Sequence, residues 1–496
     1  MGLIFKQSFK NTLIIYLGFL VGGLNTILLY PRILESEYYG LTSYLLSYSN
    51  VIMPLTAFGI QYTIVKFFSS YISKEDKDRF LTVAIFLPLL VALPIGFLWD
   101  NIHDYIVQKL PKENLIVKDY TIVIYIVAVC CAYFEVFYSW AKVQLQTVFG
   151  NVLKEFWNRA VVMILLVAVF ANWITKPEFI YILTGTYILR TVLMMFYALY
   201  LYTPKFSFKL PHNFKDVIRY SLYIILAGSA GAIILDIDKI MIPDKDTFEK
   251  AAYYTVAVFI GSFIEAPGRA MTQILQPLTS QSLNENDSKE VESLYKKSSI
   301  NLLLVGGLFF LLVNCNVAEL FKVMPDKGYA GGELVVLMIS AVKLYTMFLG
   351  NNTTIINNSQ FYRISLPIGV GMAGMVYLLN RYFYFHIEMG TDGLALSTLI
   401  SVGIFNTFKI WFVNNKFKMH PFSNKSWQMM MIILVLFGAF YFWDFNVPEI
   451  TYKKFNIHPL LNIILKTLII LPVYLIIVFK LNISPQVNAL YNRIKR

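Results

Sequence analysis

The chain has 496 residues, 57% of them hydrophobic and only 15% charged, with a mean hydropathy of +0.59 and a formal net charge of +12. Soluble domains carry roughly 25% charged residues, so this composition excludes a soluble enzyme and predicts an all-α polytopic membrane protein. The positive balance does not call for a nucleic acid, because Lys and Arg accumulate on the cytoplasmic loops of such proteins.

A membrane-crossing helix needs roughly 20 mainly apolar residues. Fourteen runs of about that length follow one another, at 12–30, 41–66, 80–99, 121–140, 160–175, 179–201, 220–242, 251–274, 298–316, 332–350, 364–381, 393–413, 427–443 and 458–480. The first has only Lys6 and Lys10 before it and ends at Pro31-Arg32 without a small-residue cleavage site, so it reads as a retained helix. An even number of spans puts both termini on one side. With the termini inside, the inner segments hold 26 of the 42 Lys and Arg residues and the outer ones 13, while Arg190, Lys343 and Lys466 fall within spans. That excess predicts cytoplasmic termini. Lys409, Arg493, Lys495 and Arg496 count among the inner charges, and Lys327, Lys453 and Lys454 among the outer ones.

The connections leave no room for a soluble domain. The longest outer one is 100–120, and the longest inner one, 276–297, is expected to carry a surface helix. Between the fourth and fifth spans, residues 141–159 read as amphipathic. They place Lys142, Lys154 and Arg159 against anionic headgroups or on a solvated face. A shift of 207 residues superposes Tyr16 on Tyr223 and Arg32 on Lys239. This repeat divides the chain into two pseudo-symmetric six-helix lobes, 1–203 and 204–420, with a C-terminal helix pair and tail at 421–496.

The stretch from Arg219 to Gln281 organises the rest: two apolar spans joined by a short charged turn. Its first span ends on Asp236, Asp238 and Lys239, and its second carries Glu265 and Arg269. A charge at mid-bilayer costs about 3 kcal/mol, so such side chains turn toward a protein interior or a wet cavity. Glu265 and Arg269 are four residues apart, hence on one helix face, and either neutralise each other until an anion competes or form a structural pair. Lys343, about eleven residues into its span, and Arg190 are buried deeper and are candidates for a cavity. Lys239 and Arg32 end their spans on the outer side, either anchoring them at the interface or receiving phosphate, with Asp236 and Asp238 holding Lys239. Lys66 closes the second span on the inner side. Asn25, inside the first, is placed for helix packing or sugar contact. Glu135 is the one carboxylate inside the first six spans.

Other patterns carry no chemistry. GVGMAG at 369–374 lies inside a span and follows no strand, and the five histidines lack metal-ligand spacing. No nucleotide-binding loop and no Ser-His-Asp set is present. Cys130, Cys131 and Cys315 read as small core residues.

FKNTLIIYLGFLVGGLNTILLYPRIL with YYGLTSYLLSYSN and FGIQYTIVKFFS, and later YSLYIILAGSAGAIILDIDKIMI with YYTVAVFIGSFIEAPGRAM, resemble the oligosaccharide flippases of the polysaccharide biosynthesis protein family. That family belongs to the multidrug/oligosaccharidyl-lipid/polysaccharide (MOP) transporter superfamily. The resemblance implies fourteen helices and two six-helix lobes facing a central cavity. It also implies alternating-access movement of undecaprenyl-pyrophosphate-linked oligosaccharide from the inner to the outer leaflet of the bacterial inner membrane. Its expected partners are that lipid-linked oligosaccharide, membrane lipids and other polysaccharide assembly proteins, without a cofactor and with the coupling ion, H+ or Na+, left open. The rival readings are a multidrug or cation antiporter of the same superfamily, which needs protonatable carboxylates in its cavity, and a membrane polysaccharide polymerase or ligase, which needs a sizeable outer domain.

Overall fold

A computed structural model describes residues 2–207, 209–324, 328–443, 451–452, 455–456, 458–485 and 488. Lys327, Lys453, Lys454, Arg493, Lys495 and Arg496, counted above by side, lie outside the described residues. The described chain is helical almost throughout, its strands being the two-rung antiparallel pair Thr451–Tyr452 and Phe455–Asn456.

Among the described residues, nine helical runs are long and apolar enough to cross a membrane, or ten if one bent pair is a single span. The exact count of fourteen is not confirmed by this measure, for local reasons. The first two expected spans form one 47-residue run, Lys10–Thr56. That run widens to π-helix over Leu24–Leu34, where Pro31 lacks an amide N–H, and it turns at Glu35, whose φ is +63°. The fifth expected span is only the 13-residue helix Asn158–Phe170. The eighth is broken at Phe263–Glu265, and the tenth bends by 56° between Glu333–Phe348 and Asn352–Asn358. Nor is 276–297 a loop: its two ends belong to the long helices Ala266–Asn284 and Ser288–Asn314, which meet at a turn with Asn286 at φ +57°.

By packing, the chain forms two compact units, Met1–Thr255 with Leu366–His386, and Val256–Ser365 with Ile387–Arg496. This division follows contacts, whereas the lobes 1–203 and 204–420 follow the sequence repeat and remain an expectation.

In the first unit, Ile64, Phe80, Phe134, Trp140 and Met194 form a buried core. Thr175 starts the helix Lys176–Leu201 with a capping box to Glu178 and Pro177 in the first turn. The buried Asn114 side chain donates to the Pro243 and Asp246 carbonyls (2.9 and 2.7 Å) and accepts from the Phe248 amide (3.1 Å). One side chain thereby satisfies the turn between two long helices.

In the second unit, Leu302, Leu311, Phe348, Met429 and Ile470 belong to one core. Small residues let the helices close up. A Cβ on Gly307 would lie 2.4 Å from Ile433 and 3.1 Å from the Tyr474 hydroxyl. Gly350 makes the bend after Glu333–Phe348 with φ +53°, and a Cβ there would sit 2.7 Å from both Ser298 Oγ and the Ser299 amide. Ser298 Oγ accepts the Asn351 amide (3.1 Å), and Ser299 Oγ donates to the Phe348 carbonyl (2.7 Å).

Gly350→Ala combines a left-handed backbone with overpacking and should cost about 2–4 kcal/mol. Thermal unfolding in detergent checks this against Gly374→Ala, a helical site with no atom within 4 Å, which should lose nothing. Equal melting temperatures for the two variants would contradict the packing described.

Candidate functional site

The helix Phe248–Ser262 passes through a single 3-10 turn, Phe263–Glu265, into Ala266–Asn284. Pro267 has no N–H to give the Phe263 carbonyl, which instead accepts the Ala266 amide. The break leaves Glu265 at the N-cap of the next helix, where unsatisfied amides favour a negative charge. Lys343 Nζ, from the helix Glu333–Phe348, lies 2.5 Å from Glu265 Oε2, and Arg269 Nε lies 3.6 Å from Glu265 Oε1. Side-chain exposure rises from 17% at Lys343 through 25% at Glu265 to 42% at Arg269. The lysine is therefore the inner member and the arginine the outer one.

Glu265 and Arg269 line a cavity of about 290 Å³ within the second unit, near the low end for small-molecule sites. The 56° bend after Phe348 turns Thr353, Thr354, Asn357 and Asn358 into its wall. The helix Gly390–Phe417 adds Asn406 and Lys409, three residues apart and so on one face. Asn406 Nδ2 donates to Thr346 Oγ1 at 3.1 Å, which ties the wall together. Beside Leu302, Met347, Leu349 and the Glu265 carboxylate, the wall presents two cations with several amides and hydroxyls, groups suited to an oxygen-rich, negatively charged ligand.

The structure thus brings Arg269, Glu265 and Lys343 together. The other sequence-derived residues lie in the first unit. Lys239 Nζ pairs with Asp236 Oδ1 at 3.0 Å, and Ser47 and Asn50 also donate to that carboxylate (3.0 and 3.1 Å). Of the two aspartates expected to hold Lys239, Asp236 is the one in contact with it. Asp238 instead accepts from the Tyr254 hydroxyl and from Asn380 Nδ2 at 2.6 Å. Arg190 is buried, with its guanidinium 4.3 Å from the centre of the Phe134 ring and 4.8 Å from that of Tyr187, and with Nη2 on the Cys131 sulfur. Lys66 Nζ sits 3.8 Å over the Tyr220 ring, and Arg32 is exposed at the end of its π-helical stretch. Asn25 is buried and donates to the Arg159 carbonyl at 2.7 Å, a tie between helices.

Charges expected at headgroups also turn to protein partners: Lys154 bonds Glu135 at 2.6 Å, and Arg159 pairs with Glu155 at 3.2 Å. Lys466 is buried and donates to the Cys315 carbonyl at 3.4 Å. Sequence reasoning missed Lys409, counted as an inner-side charge, and the Thr and Asn belt around it. The signal was the polar spacing Asn406, Thr407 and Lys409 inside an otherwise apolar run.

The profile of the family described as "Polysaccharide biosynthesis protein" matches residues 6–266, more than half of the chain. The chain belongs to the polysaccharide biosynthesis protein family. A search of curated proteins gives no match. Among solved structures, the lipid II flippase MurJ in an inward closed conformation aligns with TM-score 0.66 at 12% identity, over 96% of this chain and 99% of that one. An inward-facing multidrug resistance MATE transporter of the MOP superfamily aligns with TM-score 0.60 at 14% identity, over 85% and 96%. A MOP superfamily transporter from Pyrococcus furiosus, described as having a binding pocket of reverse polarity, gives TM-score 0.55 at 14% identity, over 84% and 95%. At these identities the likeness is one of fold. The family and the helical runs long and apolar enough to span make this a multi-pass membrane protein, and its fold is like that of the MOP superfamily transporters among those structures.

Within this family member, Glu265→Gln removes the counterion of two cations at once, whereas Lys343→Met leaves Glu265 with Arg269. The glutamine variant should therefore be less stable than the methionine variant by about 1–3 kcal/mol, a buried-pair penalty reduced for partial exposure. Melting temperatures in detergent measure the order; equal or reversed stabilities would contradict the bridging geometry.

Proposed function

We propose that the protein flips a lipid-linked oligosaccharide, carried on undecaprenyl pyrophosphate, from the inner to the outer leaflet of a bacterial inner membrane for surface polysaccharide assembly. Both termini lie in the cytoplasm, transport runs by alternating access, and the chain acts as a transporter without an ATPase or catalytic step of its own. The observation that carries this reading is the Arg269–Glu265–Lys343 cluster, of which Arg269 and Glu265 line a cavity bearing many hydroxyls and amides. A diphosphate-linked glycan brings negative charge and many hydroxyls into a membrane protein, where fixed cations replace lost hydration. Arg269 is the more exposed cation, and its guanidinium fork matches phosphate oxygens. Family membership supports the substrate class, and the flippase named among the similar folds fits it.

The similarity to multidrug transporters raises the antiporter reading. The cavity speaks against it. Its one lining carboxylate, Glu265, already answers two cations, so an organic cation would find no unpaired acid among the described lining residues.

In proteoliposomes, the purified protein should flip a fluorescent lipid-linked glycan. Loss of a charge-assisted bond worth about 1.5–3 kcal/mol predicts a roughly 10- to 100-fold slower rate for Arg269→Ala, with Arg269→Lys in between. Full activity of a normally inserted alanine variant would remove Arg269 from the site. Ion-driven drug efflux without glycan movement would overturn the reading in favour of an antiporter.

A further inference from the structure

Resting on the transport reading above, we propose that Lys409 makes this cavity selective for a glycan that carries a carboxylate, an acidic sugar in the head group rather than a neutral one. Lys409 is half-buried in the helix Gly390–Phe417 and forms part of the cavity wall. Its backbone carbonyl accepts a bond from Asn352 Nδ2 at 3.4 Å, but among the described residues no carboxylate pairs with its ammonium. The other cation lining the cavity, Arg269, differs in this respect, since it faces Glu265, which Lys343 pairs from behind. A half-buried ammonium without a counterion is stable only beside water or an anion that arrives with the ligand.

The surroundings of Lys409 indicate which anion. Thr353, Thr354, Asn357, Asn358 and Asn406 supply hydroxyls and amides, groups that match the alternating donors and acceptors of a sugar ring. Asn358 Nδ2 is buried and has no acceptor, so the wall also holds an unmet donor. Arg269, paired yet more exposed and forked, is the better match for the diphosphate, which leaves the compact ammonium of Lys409 for a second anionic group on the glycan. The two cations divide the ligand between them: the diphosphate at Arg269 and the acidic sugar at Lys409. Both anions offer oxygen acceptors, so the experiment must hold one constant and vary the other.

Two fluorescent polyprenyl-diphosphate disaccharides serve as probes, identical except that the terminal sugar is glucuronate in one and glucose in the other. Wild-type protein in proteoliposomes should flip the glucuronate probe at least tenfold faster at limiting concentration, equivalent to about 1.4 kcal/mol. Lys409→Gln should bring that ratio to about one, and Lys409→Arg should restore most of it. A wild-type ratio near one, or a ratio unchanged in Lys409→Gln because both probes slow together, overturns the proposal and assigns Lys409 to the shared diphosphate or to packing. Binding of the free disaccharides to purified full-length protein, read by tryptophan fluorescence, separates this proposal from the transport reading. If neither probe is flipped but glucuronate binding is lost in Lys409→Gln, flipping fails and the anion site stands. If binding shows no glucuronate preference, the site fails whatever is transported.

Discussion

One carboxylate holds the second unit's charged wall together. Glu265 faces Lys343 across a helix pair and Arg269 one turn further along its own helix. Without Glu265 the two cations would repel each other in a setting with little water to screen them, a cost of the kind that makes broken buried pairs so damaging. With it, the cluster keeps a net positive charge and remains folded. Two backbone interruptions place the trio: Pro267 sets the carboxylate at a helix start, and Gly350 bends the helix that carries Lys343. The same bend exposes the Thr and Asn belt that lines the cavity.

Much of this was legible in the residues, but only where the information is local. The 219–281 hairpin, its expensive charges and the Glu265–Arg269 spacing follow from period and hydropathy, and the structure pairs those two side chains. Lys343 could be recognised as a charge needing a partner, yet its partner lies 78 positions away and depends on how helices meet. Lys409 was absorbed by the positive-inside count, a rule that treats a cation near a span end as topology regardless of what it faces. The exact count of fourteen is not confirmed by length and composition, because hydropathy sees apolar length and not interruption. Pro267 interrupts the eighth run at a 3-10 turn, and Gly350 ends the tenth at a 56° bend.

The first unit uses its intramembrane charges differently. Asp236 collects Ser47, Asn50 and Lys239, Glu135 takes Lys154, and Arg190 lies between aromatic rings. These are bonds among neighbours that satisfy buried polar groups and tie helices together. Sequence alone ranks all such charges alike, because burial near mid-membrane costs the same whether the partner is protein or cargo. What distinguishes the Glu265 cluster is its place on a cavity wall beside a cation that no described acid answers.

The central claim is that this wall is wet and reachable by polar solutes. It is tested most directly by replacing Cys130, Cys131 and Cys315 with alanine and measuring the reaction of Thr354→Cys with a charged, water-soluble thiosulfonate in membranes. Leu434→Cys, on an exposed apolar face of the helix Asn424–Tyr441, serves as the comparison. The account predicts that the Thr354 position reacts readily, that lipid-linked glycan slows it, and that the Leu434 position stays inert. A Thr354 cysteine as unreactive as the one at Leu434 would contradict it.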